Sequence, residues 1–160
     1  MAARVKILFV CTGNTCRSPL AEAIARREVI ARGWLDVEVE SAGTTAHPGA
    51  PASDGSLLVG LEHGLDLGPH QARPLTRALV GGADLILTMS AAHLTAVRAL
   101  GGEQKAELLT EYAEPGSGGR SVSDPFGGDL PMYRETYQDL DALIIMAFRR
   151  LATERSAQRT

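Results

Sequence analysis

Cysteine is scarce in this chain, and so are long apolar runs and any excess of positive charge. Two cysteines and four histidines among 160 residues cannot supply a structural zinc site, which almost always takes four ligands, because no histidine pair lies near the cysteines. No apolar run approaches the ~20 residues that a membrane-spanning helix needs. The stretch from Met1 to Lys6 lacks a signal-peptide pattern, so the expected location is the cytoplasm. With 16 basic against 19 acidic residues and a net charge of −3, there is no basic footprint for nucleic acid or for an anionic membrane. The remaining composition, 44% hydrophobic and 22% charged, suits a single domain over residues 1–160 with a sizeable core.

Both cysteines fall in one stretch, Phe9-Val10-Cys11-Thr12-Gly13-Asn14-Thr15-Cys16-Arg17-Ser18-Pro19. Ahead of it, Val5-Lys6-Ile7-Leu8-Phe9-Val10 has the apolar, β-branched and aromatic pattern of a strand buried on both faces of a parallel sheet. Behind it, Pro19 suits the first turn of a helix, where its missing N–H costs nothing. A strand-to-helix loop can turn successive backbone N–H groups inward as an anion nest, aided by the positive end of the helix. Gly13 and Asn14 tolerate the left-handed backbone that a nest requires. A thiolate at Cys11 would be favoured by these donors, by Arg17 and by the Ser18 hydroxyl. Arg17 offers a planar fork to two phosphoryl oxygens. The stretch therefore joins a nucleophile to a phosphate cradle, with Thr12, Gly13, Asn14, Thr15, Cys16 and Ser18 as binding residues. For Cys16 two readings stand: partner of Cys11 in a reversible disulfide, or a small apolar residue tucked under the loop.

Downstream, Leu20 to Arg32 has no Gly or Pro and predicts a helix, with Leu20, Ala23, Ile24 and Ala31 facing inward and Gly33 past its end. Val37-Glu38-Val39-Glu40 alternates as a strand and runs into Ser41-Ala42-Gly43-Thr44. Residues 45–51 form a loop expected to overhang the site. Ser53 and Asp54 cap a helix carrying Leu57, Leu58 and Leu61, which Gly64 ends. A short helix over 76–80, a buried strand over 83–89, a helix over 91–100 capped by Ser90, and a fourth strand over 105–110 follow. Alternating strands and helices predict an α/β fold: a three-layer α/β/α arrangement with a four-stranded parallel sheet. Ligands of such sheets bind beyond the carboxyl ends of the strands, where Cys11 lies. Residues 114–123, with Pro115, Gly116, Gly118 and Gly119, read as a mobile loop. The last helix presents Tyr137, Leu140, Ile144, Phe148 and Leu151 to the core and leaves Arg149, Arg150 and Arg155 as a solvated face and tail.

The spacing Cys-x5-Arg-Ser marks cysteine-dependent phosphatases, and the filled run from Cys11 to Pro19 resembles the low-molecular-weight protein tyrosine phosphatase family. The resemblance extends over essentially the whole chain. It implies a phosphate-binding loop after the first strand, no metal or cofactor, phosphorylated proteins as substrates, and phosphate or other oxyanions as ligands. In that family the Ser of a Ser-Ala-Gly run, here Ser41, helps to hold the loop Asn. The His of a His-x-Ala-Arg run, here His70, bonds to the same Asn. The Asp of an Asp-Pro pair, here Asp124 before Pro125-Phe126-Gly127-Gly128, serves as general acid. The family often carries Asp after the Met that ends the third strand, where this chain has Ser90. The implied reaction is attack of Cys11 on phosphorus with protonation of the leaving atom by Asp124, then hydrolysis of a phosphocysteine with Asp124 as base.

Two departures bear on the substrate. The family usually has a bulky aliphatic such as Ile at the fifth loop position, and here Thr15 stands there. It commonly follows Asp-Pro with two aromatics, whereas this chain has Phe126 alone before Gly127 and Gly128. A trimmed pocket with an added hydroxyl acceptor suits phosphoarginine better than a phenyl ring, and both features resemble the bacterial protein-arginine phosphatase branch. The alternative is a tyrosine phosphatase in which Thr15 is a neutral β-branched substitution. Arsenate reductases share the scaffold, but their thiol relay needs further cysteines. A phosphoprotein-binding module would have no use for Cys11 together with Asp124.

Overall fold

The computed structural model describes residues 4–158. Four parallel strands form one sheet in the order β2-β1-β3-β4, comprising β1 (Val5–Cys11), β2 (Val37–Gly43), β3 (Leu85–Thr88) and β4 (Ala106–Leu108). β1 lies in the middle because Ile7 to Cys11 are apolar at every position and buried on both faces. Ile7, Phe9 and Cys11 join one core cluster, while Leu8 and Val10 join the other, as the twofold alternation of a strand requires. β2 is an edge strand: Val37 and Val39 turn to the core and Glu38 and Glu40 reach Lys6 at 3.9 and 3.5 Å.

From β1 the chain leaves in opposite directions, to β2 on one side and, later, to β3 on the other. Right-handed crossovers then place the connecting helices on opposite faces of the sheet. α1 (Arg17–Ala31) packs in the first core cluster with α2 (Asp54–Glu62), α5 (Leu109–Ala113) and α6 (Leu130–Gln158). α3 (Arg77–Gly82) and α4 (Ala91–Ala99) cover the other face through Val80 and Val97. The expected three-layer α/β/α arrangement is thus observed. Its topological switch point, between β1 and β3, is where the loop after Cys11 emerges. No helix among the described residues is long and apolar enough to cross a membrane.

Several local expectations are corrected. α1 buries Leu20 and Ile24 as expected, together with Ala21 and Ala25, while Ala23 is half-buried and Ala31 exposed. α2 buries Ser56, Val59 and Gly60, and Leu58 and Leu61 are exposed, because the side packed on α6 is the side with the small residues: a Cβ at Gly55 would lie 2.4 Å from the Tyr133 ring. Ser53 makes no side-chain cap there. β4 is only three residues long, and Leu109, Tyr112 and Ala113 are buried at helical spacing in α5. Along the stretch 114–123, Glu111 accepts from Gly116 N and Ser117 Oγ, Thr110 Oγ1 donates to Arg120 O, and Val122 N donates to Met89 O.

The inward stripe of α6 is as expected, with Tyr137, Leu140, Ile144, Phe148 and Leu151 all buried. Two of its arginines are half-buried and paired rather than part of a solvated face. Arg150 stacks over Tyr112 at 4.2 Å and donates to Tyr112 O and to Glu154. Arg155 donates to both oxygens of Asp36 at 2.8 Å and lies 4.8 Å over Trp34, its side chain 11% exposed. Arg155→Ala should therefore lower stability by about 1–2 kcal/mol, the worth of a charge-assisted pair plus a cation–π contact. Urea unfolding measures it, and an unchanged midpoint would mean that the end of α6 adds nothing to the core.

Candidate active site

β1 ends at Cys11, α1 begins at Arg17, and five residues join them. Pro19 occupies the third helical position, where its missing N–H is one of the donors that a helix leaves unpaired anyway. The first turn of α1 carries no acidic residue, so the positive end of the helix keeps its full pull on an anion. Among the described residues, the backbone N–H groups of Thr12, Gly13, Asn14, Thr15 and Cys16 donate to no other protein group and are available to such an anion.

The loop is held by Asn14. Its backbone is left-handed, at φ 55°, and its side chain is fully buried. Nδ2 donates to Ser18 Oγ at 2.8 Å and to Ser41 Oγ at 3.0 Å, and Oδ1 accepts from Arg73 N at 2.9 Å. The Asn14 carbonyl lies 2.6 Å from His70 Nε2. Ser41 in turn donates to Glu22 Oε1 at 2.8 Å. Ser18 Oγ, having accepted from Asn14, lies 2.9 Å from Cys11 Sγ and has its own proton to give to the sulfur. The supports expected at Ser41 and His70 are thus both in place, while Arg73 and Glu22 had no distinguishing sequence signal beyond the His-x-Ala-Arg run. Gly43 makes the close approach possible, since a Cβ there would lie 2.4 Å from Thr12 O and 2.9 Å from Asn14 N.

Arg17 is buried and anchored twice. Nη1 donates to Val122 O at 3.1 Å and Nη2 to Thr12 Oγ1 at 3.4 Å, while Nε is buried with no protein partner. Asp124, half exposed, places Oδ2 3.5 Å from Arg17 Nη2, and its Oδ1 accepts from Phe126 N. Cys11, Thr12, Gly13, Thr15, Cys16, Arg17, Asp124 and Phe126 line one cavity of about 200 Å³. Eight of the residues singled out in the sequence therefore meet in one place, with Asn14 and Ser18 behind them. Residues 45–51 do not roof this cavity: Thr44 and Thr45 run beside the loop as donors to Cys11 O and Thr12 O. A larger hollow of about 750 Å³ lies on the far side of the Asn14 support, lined by Ser41, His70 and Arg73 but not by Cys11, Arg17 or Asp124. Cys16 is buried and free, as is Cys11, and its sulfur lies 3.2 Å from Ser53 Oγ and 3.5 Å from Tyr133 Oη. Among the described residues no three His, Cys, Asp or Glu side chains gather as metal ligands.

Sequence reading missed His93. It is buried beside the loop, with Nε2 2.8 Å from Thr12 Oγ1 and Nδ1 3.0 Å from Ser90 Oγ. The available signal was its position three residues after the helix cap Ser90, which puts it in the first turn of α4 at the carboxyl edge of the sheet. Burial and the neighbouring Arg17 push its pKa down to about 4, against a smaller upward pull from Asp124.

The low molecular weight phosphotyrosine protein phosphatase model matches residues 6–157. The chain belongs to that family. It is 38% identical over 151 residues to a protein-arginine-phosphatase of Bacillus subtilis, covering 93% of this chain and 98% of the relative. It is 39% identical over 142 residues to the low molecular weight protein-tyrosine-phosphatase PtpB of Staphylococcus haemolyticus, covering 88% and 95%. A solved structure of YwlE arginine phosphatase, a cysteine-to-serine mutant with a phosphorylated active-site serine, superposes with a TM-score of 0.88 at 35% identity over 95% of this chain and 99% of that one. As a member of this phosphatase family the protein is a protein phosphatase, and the cavity after β1 lies where its family loop, Cys11 to Pro19, presents donors to an anion.

Two measurements follow from this geometry. Asn14→Ala strands several buried partners and puts Ala at positive φ, so it should cost about 3 kcal/mol or more in urea unfolding; a loss below ~1 kcal/mol would contradict the supporting role. His93, depressed from its ordinary 6.5 to about 4, binds a proton in the unfolded chain before it does in the folded one. Its contribution to stability is thus complete above pH ~6.5 and is lost as pH falls towards 4. His93→Gln should flatten that part of the stability profile; a slope equal to that of the parent protein would contradict the depression.

Proposed function

We propose that the protein removes the phosphoryl group from phosphorylated side chains, phosphoarginine above all, with Cys11 as nucleophile, Arg17 as the clamp on the phosphoryl oxygens and Asp124 as general acid and base. The observation that carries this reading is the convergence of Cys11, buried Arg17 and Asp124 around one small cavity. Cys11 attacks phosphorus as the bond to the leaving nitrogen or oxygen breaks, and Asp124 gives that atom its proton. A water then attacks the phosphocysteine, Asp124 takes its proton, and phosphate departs with the Cys11 thiolate restored. The free loop amides and Arg17 meet the charge that builds on the equatorial oxygens, which is where such donors act most strongly.

The preference for phosphoarginine is supported by the cavity walls. Thr15 contributes to the lining where the family usually has a larger aliphatic residue, and Phe126 is the one aromatic residue lining it. A guanidinium presents N–H groups that a threonine hydroxyl can accept, whereas a phenyl ring presents none. Relatives that carry the protein-arginine-phosphatase name support the same reading, and the tyrosine-phosphatase relatives keep phosphotyrosine as the second. Phosphorylated proteins are then the partners rather than nucleic acid, and the cytoplasm, which keeps Cys11 and Cys16 reduced, is the fitting compartment.

The experiment is kcat/KM on matched peptides bearing phosphoarginine or phosphotyrosine, for the parent protein and for Thr15→Ile. The expected result is a preference for phosphoarginine of tenfold or more in the parent, about the worth of one hydrogen bond to a charged group, that Thr15→Ile reduces or reverses. A parent preference for phosphotyrosine would overturn the substrate assignment and leave the reaction type standing. Asp124→Ala should slow poor leaving groups far more than activated aryl phosphates. Equal losses on both would remove Asp124 from the proton-donor role.

A further inference from the structure

Of the four histidines, only His93 is buried, at 4% exposed, and the reaction above gives it no task. It bridges two hydroxyls, Ser90 Oγ at Nδ1 and Thr12 Oγ1 at Nε2. A neutral imidazole carries one N–H, so two arrangements are possible. In the first, Nδ1–H donates to Ser90 and Thr12 spends its hydroxyl proton on Nε2. In the second, Ser90 donates to Nδ1 and Nε2–H donates to Thr12.

The surroundings favour the second. Ser90 Oγ already accepts the backbone N–H of His93 at 3.4 Å in capping α4. Among the described residues its own hydrogen has no acceptor other than Nδ1, so the first arrangement would leave it without a protein partner. At the other end, Thr12 Oγ1 accepts Arg17 Nη2 and has a second lone pair for Nε2–H. With both lone pairs occupied, the Thr12 hydroxyl hydrogen has no partner within the protein, and Thr12 lines the cavity. Burial and the Arg17 charge keep His93 neutral at pH 7, which the bridge requires. Arg17 and Asp124 are the charged groups that act on it.

We propose that the Ser90–His93–Thr12 bridge holds His93 as its Nε2–H tautomer, and so frees the Thr12 hydroxyl to donate to the oxyanion in the cavity. This inference rests on the reading of that cavity as a phosphoryl site. His93 is then a positioning residue: it touches no substrate, and it sets both the direction of the Thr12 proton and, through Thr12 Oγ1, the seat of Arg17. Through Ser90, the β3–α4 corner dictates this face of the phosphate loop. The same corner receives Val122 N on Met89 O, and Val122 O holds the other arm of Arg17.

Protein labelled with 15N-histidine, read by long-range proton–nitrogen correlation at pH 7, reports the tautomer directly. The proposal requires His93 Nε2 to carry the proton; a proton on Nδ1 overturns it. Binding of inorganic phosphate, followed by calorimetry, tests the consequence. Thr12→Val, which keeps the shape and drops the hydroxyl, should weaken phosphate about tenfold, the loss expected of one hydrogen bond to a charged acceptor. His93→Leu should weaken it to a similar degree, the double variant should add little, and Thr12→Ser should restore it. Phosphate affinity unchanged in a folded Thr12→Val protein overturns the proposal, as do fully additive losses. Neither readout depends on turnover, so a parent protein that hydrolysed no phosphopeptide would count against the proposed function and not against this bridge.

Discussion

Everything at the mouth of the sheet depends on how the Asn14 side chain is paired. A buried primary amide with nothing to bond would cost several kcal/mol, and here both donors and the acceptor are taken. The pairing has a direction. Asn14 gives its two protons to Ser18 and Ser41, which frees each serine to pass its own proton on, from Ser41 to the Glu22 carboxylate and from Ser18 to the Cys11 sulfur. A neutral amide in the middle of the chain thereby aims a donor at the Cys11 sulfur from behind. The left-handed backbone at Asn14 is affordable because these bonds over-determine it.

Arg17 closes the opposite side. A buried guanidinium is tolerable only with several fixed acceptors, and it has two of them, the Val122 carbonyl and the Thr12 hydroxyl. Both trace back to the carboxyl end of β3, whereas the Asn14 support traces back to β2. The loop after β1 is therefore gripped from the two neighbouring strands at the point where the sheet reverses its order. That explains why a site made of a few loop atoms can be rigid, and why Gly43 on β2 must lack a side chain. Asp124 approaches from a segment whose base is tied at Val122 and Thr110, so the carboxylate can face Arg17 while remaining half in solvent.

Much of this was legible because the chemistry is contiguous in the chain. The strand, the loop and the helix start occupy Val5 to Pro19, and their apolar run, left-handed candidates and Pro19 each carry a local physical reason. Ser41, His70 and Asp124 are distant, and they were reached through resemblance in motif rather than through periodicity. The misreadings share a cause: pattern alone does not say which neighbour arrives. Leu58 and Leu61 look like a core stripe, but α6 brings Tyr133 against Gly55 and turns the small side of α2 inward. Arg150 and Arg155 look solvated until Tyr112, Trp34 and Asp36 meet them. Leu108 to Ala113 fits a strand or a helix by composition, and the burial of Leu109, Tyr112 and Ala113 decides it. His93 was invisible because its partner Thr12 lies 81 positions away, and Ser90, a departure from the usual family residue, was legible as the cap of α4 but not as the partner of the His93 ring.

The central claim is that Cys11 becomes covalently phosphorylated. Mixing enzyme with an excess of phosphoryl-labelled phosphoarginine peptide, quenching in acid within milliseconds and mapping the label would test it most directly. The account predicts label on the Cys11 peptide, formed together with release of the leaving peptide and absent in Cys11→Ser under the same brief exposure. Turnover without labelled enzyme, or label carried by any residue other than Cys11, would contradict it.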